Sequence, residues 1–562
     1  MVKRNENQIK SPVSRILQVL QLDKKEISAV YLYSILYGLI QLSLPIGIQS
    51  IISYVLGGAI STSLVILITM VVFGVFFNGL VQVNSMKIIE KVQQKIFVRY
   101  AFEYATRIPR LDLKSIDNYY LPELVNRFFD TTALQKGISK LLLDIPAASI
   151  QVIFGLILLS FYHPIFIVFS FLLITLVIII IYFTGSRGMQ TSLTESKYKY
   201  KVAGWLQELG RVVRTFKFSK GSVLNLKKTD GLVLKYIEAR THHFKILRLQ
   251  YWTLIAFKVL ITAAMLIVGS VLLIDQELNL GQFIASEIVI LMVLNSVEKL
   301  IVNLDNVYDV LTAVEKLSKV IDQPVEKEQS LTINTEHSGV LISASNLGFS
   351  FEHKKILHNI NFTIPRGSKV AVMGTDGSGK STFMRVLGRI YNDYTGSLLV
   401  DNVPLSNYNA DAYRQQTGML ISHLEIFNGT LLQNINMGDD RISPDMIIRL
   451  AEEAGLSDFI SNQEDGFDTI LDPAGKRLSR SVIQKILLLR ALVGHPRLLL
   501  MDEPWRGLEE SSINSIKKYL IDNCSTSTVI IETNDESFAK HCDIVLSFED
   551  GTLISNEQRK QN

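Results

Sequence analysis

Six apolar runs, long enough or nearly long enough to cross a bilayer, fix what this chain can fold into. They lie near Ile27–Val55, Leu64–Val83, Ala147–Tyr162, Pro164–Phe183, Trp252–Ile274 and Phe283–Val302. A helical span needs about 20 predominantly apolar residues. The third run is short by itself, but the charges before it thin out by Ile145, so a longer helix is expected there. Of the 562 residues, 48% are hydrophobic and 20% charged, which is too apolar for a soluble chain of this length. The runs therefore predict an α-helical six-span membrane domain that has the lipid bilayer as a partner. The first run starts too late and is too long for a signal peptide.

Orientation follows from the basic residues. The segment before the first span carries Lys3, Arg4, Lys10, Arg15, Lys24 and Lys25. The connection between spans two and three carries Lys87, Lys91, Lys95, Arg99, Arg107 and Arg110, and the one between spans four and five is basic from Arg187 to Arg248. The alternate connections, Leu56–Ser63, His163 and Asp275–Gly281, contain no Lys or Arg. Both termini are thus expected in the cytoplasm. The two long connections read as helices continuing out of the membrane, with turns around Pro109–Tyr120 and Leu206–Gly221 that would meet a cytoplasmic domain. Pro45 predicts a kink in the first span. Lys258 and Glu287 fall inside spans and are candidate functional groups. At about 1.5 Å per residue their depths differ by roughly 13 Å, so they are not expected to pair.

The second half changes character. The run Gly374-Thr375-Asp376-Gly377-Ser378-Gly379-Lys380-Ser381-Thr382 contains G-x-x-x-x-G-K-[ST]. It follows a strand-like run, Lys369–Met373, and precedes a helix-like one, Thr382–Ile390, the context a phosphate-binding P-loop requires. Its glycines let backbone N–H groups turn inward around phosphates. Lys380 would reach the β- and γ-phosphates of ATP, and the Ser381 hydroxyl would hold Mg²⁺. Asp376 places a negative charge at a variable position of the loop. Leu498–Met501 reads as a buried parallel strand ending in Asp502-Glu503. That acidic pair suits Mg²⁺ liganding by Asp502 and activation of water by Glu503 as catalytic base. Cys524 and Cys542 suggest a reduced compartment and no disulfide or metal framework. The net charge of +4 is mild and gives no ground for a nucleic-acid partner.

Residues 1–27 read as an N-terminal cytoplasmic segment, 28–321 as the transmembrane domain, 322–338 as a charged linker and 339–562 as an α/β P-loop domain. Taken together, these features resemble an ABC exporter half-transporter over nearly the whole chain. The carriers are the spans with their long extensions, Leu278–Ala285 entering the last span, and Asn346–Phe351 with Ile356–Ile360 opening the cassette. The resemblance implies that Phe351 stacks on adenine. The pattern at Leu44–Ile52 is similar to the type I secretion and peptide-exporting branch. That likeness implies a bacterial inner membrane and a possible periplasmic adaptor. The N-terminal peptidase-like domain frequent in that branch is expected to be absent, since about 27 residues precede the first span.

The cassette departs from the family pattern in several places. The Q-loop position holds Ser422. The LSGGQ signature is replaced by Leu478-Ser479-Arg480-Ser481-Val482, the switch histidine by Asn534, and the SALD D-loop by Arg506-Gly507-Leu508-Glu509. Asn can hydrogen-bond but cannot take up a proton as His does. In the family each composite site joins one subunit's P-loop to the other's signature. A homodimer would therefore have two weakened sites, whereas a heterodimer partner with an intact signature would complete the site at Lys380. Two readings stand at this point. One is an ATP-driven exporter subunit with slow or partner-dependent hydrolysis. The other is a nucleotide-binding, non-hydrolysing regulatory or structural subunit of a secretion complex.

Overall fold

The computed structural model describes residues 12–58, 62–116, 121–218, 220–327, 329–332, 338–352, 354–421, 425–462 and 465–558. The chain divides into two units, Met1–Leu111 with Ile116–Gln323, and Asp112–Ser115 with Pro324–Asn562. The first contains α1 (Pro12–Gln21), α2 (Lys24–Gln41), α3 (Ser43–Leu56) and α4 (Thr62–Arg107). The short α5 (Leu113–Ile116) falls largely within the second unit. The first unit resumes with α6 (Leu121–Asn126), α7 (Asp130–Tyr162), α8 (Ile165–Arg211), α9 (Val213–Lys217), α10 (Leu224–Ile274) and α11 (Leu280–Ile321).

Six helical stretches among the described residues are long and apolar enough to cross a membrane, and they coincide with the six runs. The third does lengthen, beginning at Asp130. The long connections are helical, and α8 runs on to Arg211, several residues into the stretch expected to turn. Pro45 gives a break instead of a kink: α2 stops at Gln41 and α3 restarts at Ser43. A proline has no N–H to donate, so it fits the first turn of a new helix and not the interior of an old one. Helices α7, α8, α10 and α11 share a core of Val152, Leu156, Leu173, Leu254, Phe257, Ile261, Val289 and Val293. Phe73, Phe76, Phe171, Ile178, Trp252 and Leu260 point outward, as side chains in a lipid solvent do.

The second unit continues with β1 (Ile342–Phe351), β2 (Lys354–Ile364), β3 (Lys369–Gly374), α12 (Lys380–Leu387), β4 (Tyr394–Val400), β5 (Val403–Pro404) and α13 (Ala410–Gln415). Next come β6 (Thr417–Leu420), β7 (Gly429–Thr430), α14 (Leu431–Asn436), α15 (Pro444–Glu453), α16 (Asp458–Ser461) and β8 (Ile470–Leu471). The last elements are α17 (Arg480–Leu492), β9 (Leu498–Asp502), α18 (Glu510–Asp522), β10 (Thr528–Glu532), α19 (Glu536–Ala539), β11 (Ile544–Glu549) and β12 (Thr552–Gln558). The described strands form a main sheet of order β12-β11-β3-β10-β9-β6 and an antiparallel sheet of order β2-β1-β4-β5. In the main sheet all pairings are parallel except that of β12 with β11.

Both faces of the main sheet are covered, which is why its strands read as unbroken apolar runs. Val370, Val372, Leu498, Leu500 and Ile530 join one core with Phe383 and Met384 of α12 and the antiparallel sheet. Ala371, Leu499, Met501, Val529 and Ile531 join the other, with residues of α14, α15, α17 and α18. The period of two thus decides which side chains meet α12. In the charged stretch after α11, Arg414 donates to Glu326 (2.8 Å) and Leu331 bridges to Tyr408.

Polar groups in the first unit occupy a few fixed places. Lys258 on α10 is ion-paired with Glu298 on α11, an acid of the sixth run that the sequence reading does not single out. Glu287 carries an Oε1 that is buried without a hydrogen-bond partner among the described residues. Between α1 and α2, Asp23 is 3% exposed and receives Lys95 at 3.3 Å and Arg99 at 3.2 Å from α4. Asp23→Ala takes the anion from Arg99 and leaves Lys95 with Glu26 alone, at a cost of about 2 kcal/mol. The thermal unfolding midpoint of the detergent-solubilised full chain should fall. An unchanged midpoint would show that Asp23 does not hold this elbow.

Candidate phosphate-binding site

The site is built where β3 ends and α12 begins. The loop between them holds Gly374, Gly377 and Gly379 at φ of +145°, +84° and +100°. At Gly377 a Cβ would meet nothing within 4 Å, so the residue type is set by backbone conformation and not by crowding. Gly374 is also confined: a Cβ there would approach the Phe548 carbonyl oxygen to 2.3 Å. Lys380, 5% exposed, donates to the Gly374 and Thr375 carbonyls at 2.7 and 2.8 Å. Thr375, Asp376 and Gly377 are exposed, and Ser381 and Thr382 half-buried, along the loop and the first turn of α12.

The register of the sheet brings the acids to the loop. Glu532 of β10 stands opposite Asp502 of β9 on one side and Val372 of β3 on the other. Ile530 and Leu500 face α12, so two residues on, Glu532 and Asp502 face it too. The Glu532 Oε1 accepts from the Ser381 hydroxyl at 3.2 Å and lies 3.9 Å from the Lys380 ammonium. Burial, with Asp502 alongside, pushes its pKa up to about 7. Glu503 follows at φ +42°, its amide donating to the Glu532 carbonyl at 2.9 Å. The Asn534 amide donates to Glu503 Oε1 at 3.1 Å. Burial raises the Glu503 carboxyl above its ordinary range, against that hydrogen bond and with the Asp502 charge adding to the rise.

Among the described residues, the Ser378 hydroxyl and Glu532 Oε2 are buried without hydrogen-bond partners. With the glycine-lined loop, the buried Lys380 and the N-terminus of α12, they fit a nucleotide phosphate and its divalent ion. No group of three His, Cys, Asp or Glu among the described residues converges closely enough to hold a metal unaided. An ion at Ser381 and Asp502 would therefore share its shell with phosphate oxygens.

The departures from the signature are built into the surrounding structure. Ser479 caps α17 by accepting from the Val482 amide, and Arg480, Ser481 and Val482 form its first turn. The Ser481 hydroxyl donates to Glu509 Oε1 at 2.8 Å, and Lys485 pairs with Glu509 Oε2 at 3.3 Å. Gln484 donates to the Pro504 carbonyl at 2.8 Å, which ties α17 to the turn after Asp502-Glu503. Ser422 lies outside the described residues. Asn534 is exposed and meets Glu503 through its backbone. Phe351 ends β1 half-buried, edge-on to Tyr391 at 5.2 Å and to Phe349 at 4.9 Å.

Sequence reasoning missed Glu532. The signal was an acid ending an apolar strand, as Asp502 does, but its meaning needs the register between β9 and β10.

Comparison with known proteins agrees with this geometry. Residues 27–297 match the ABC transporter transmembrane region, and residues 357–506 match the ABC transporter family. The alpha-hemolysin translocation ATP-binding protein HlyB of Escherichia coli O157:H7 is 32% identical over 295 residues, 52% of this chain and 42% of that protein. The leukotoxin translocation ATP-binding protein LktB of a Pasteurella haemolytica-like species is 30% identical over 296 residues, 52% of this chain and 41% of that protein. The glutathione/L-cysteine transport system ATP-binding/permease protein CydC of Haemophilus influenzae is 30% identical over 44% of this chain and 43% of that protein. The matched region is thus less than half the length of each of these relatives. A solved structure of a bacterial Atm1-family ABC exporter with ATP bound superposes with a TM-score of 0.83 at 19% identity, over 95% of both chains. With six spans and a phosphate-binding cassette in one chain, this multi-pass membrane protein belongs to the ABC transporter family.

Proposed function

We propose that the chain couples ATP binding, and slow or partner-dependent hydrolysis, to export of a substrate across the membrane. The P-loop geometry carries this reading: Lys380 buried beneath a loop of positive-φ glycines, with strand-end acids beside Ser381. Lys380 would leave its own loop carbonyls for the β- and γ-phosphates. Ser381 and Asp502 would hold Mg²⁺, whose charge offsets that developing on the phosphates. Glu503, tied to the Asn534 amide, would accept a proton from the attacking water. Phe351 would offer its ring to the adenine.

Closure of two cassettes in a dimer would shift the spans toward an outward-facing state, with the cassettes on the cytoplasmic side. In a heterodimer the partner's signature would meet this P-loop. Arg480 in the first turn of α17 would face the partner's nucleotide, its charge directed at phosphate. The likeness to HlyB and LktB supports a peptide or protein substrate and a periplasmic adaptor. The non-hydrolysing regulatory or structural alternative is not favoured: Asp502 stands level with Glu532 on the sheet face that meets α12, and Glu503 follows it.

Glu503→Gln in the full chain, assayed with its partner if one co-purifies, should retain nucleotide binding and lose ATPase activity by about a hundredfold or more. An unchanged rate would remove the enzymatic reading. Gly377→Ala has room for its methyl but the wrong backbone preference, costing about 1 kcal/mol. Nucleotide affinity, measured by equilibrium titration, should fall about fivefold with the unfolding midpoint nearly unchanged.

A further inference from the structure

The established family accounts for a phosphate loop, a magnesium-directed Asp502 and a basic Glu503. It leaves Glu532 unexplained. This side chain is 7% exposed, its Oε1 sits on the Ser381 hydroxyl, and its Oε2 has no hydrogen-bond partner among the described residues. Two of its neighbours on the same face, Ile530 and Val372, are apolar core residues, and the third, Asp502, is a second acid. A carboxyl buried with an unsatisfied oxygen is destabilising unless something else meets it.

We propose that Glu532 makes this pocket selective for the divalent-metal complex of a nucleotide over the free nucleotide. The proposal rests on the nucleotide-binding reading above and adds to it the form in which the nucleotide is taken. Two side-chain donors at the site are already turned elsewhere. Lys380 donates to Gly374 and Thr375, and Ser381 donates to Glu532. A metal-free triphosphate must displace the carboxylate from Ser381 and then lie beside it, and beside Asp502, in a pocket whose near cation is Lys380. Charges of like sign at such separations, screened by protein and not by bulk water, oppose binding strongly. A divalent ion reverses the sign. Glu532 Oε2 and Asp502 then face a cation, and the Ser381 hydroxyl is released to it. The described acids do not converge enough to bind the ion unaided, so ion and nucleotide enter together.

The test is equilibrium binding of the non-hydrolysable analogue AMP-PNP to the full chain in nanodiscs at pH 8. Titrations are run once with excess Mg²⁺ and once with EDTA, for the parent, Glu532→Gln and Glu532→Met. The quantity read is the ratio of the two dissociation constants. The parent should prefer the magnesium complex, and both variants should reduce that preference by about tenfold, mainly by tightening the EDTA titration. The methionine variant removes charge and polarity together and stands in if the glutamine variant is misfolded, with the thermal unfolding midpoint as the control for folding. If the parent binds AMP-PNP but a folded variant keeps the parental ratio within about twofold, the selectivity proposal is overturned and the nucleotide site stands. If the parent binds in neither condition, the nucleotide reading itself fails.

Discussion

The chemistry of the cassette depends on one parallel register. Strands β3, β10 and β9 are aligned so that Val372, Glu532 and Asp502 stand level. From that alignment follow the contact of Glu532 with Ser381, the placing of Asp502 beneath the start of α12, and the turn that presents Glu503. A slip of one residue in β10 would move Glu532 to the opposite face, among Leu499 and Met501 of β9. The continuous apolar character of both faces does not forbid such a slip. The specifying contacts are at the strand ends, where the Glu503 amide meets the Glu532 carbonyl and the Thr533 amide meets the Val372 carbonyl.

Much of this is legible in the sequence alone, and for a physical reason. Spans, P-loop and buried strands are local patterns: a long apolar run, a fixed glycine spacing, a short apolar block closed by acids. The six spans and the position of Lys380 therefore followed directly from the order of residues. Other features depend on residues far apart in the chain. Glu532 acquires its meaning from Asp502, thirty positions earlier, and only through strand pairing. Glu298 lies in an apolar run next to Lys299, where it looks like the end of a span, until α10 brings Lys258 to it. Pro45 was visible, but whether it bends a helix or separates two depends on which residues accept the broken turn. Phe351 was visible too, yet one of the rings it meets, Tyr391, comes from the stretch beyond α12.

The altered signature shows the same dependence in reverse. Read as a motif, Arg480-Ser481-Val482 looks like a loss. In the structure Ser479 still caps α17, and Ser481 and Lys485 share Glu509, a residue of the equally altered segment after Trp505. The two departures are joined by hydrogen bonds, and the Glu509 carboxyl is held below its ordinary range first by Ser481. A serine and a glutamate that would each look out of place alone satisfy one another, so the first turn of α17 is anchored without glycine.

The ion pair between Lys258 and Glu298 has a mechanical consequence for the first unit. In a lipid surround, two opposite charges in contact are tolerable and two separated ones are not. Helices α10 and α11 are joined by the short turn Asp275–Asn279 at one end and by this contact at a point well down their length. Sliding one past the other by a single turn, about 5.4 Å, would pull the charges apart. Any rearrangement that slides α10 past α11 therefore carries the cost of separating this pair.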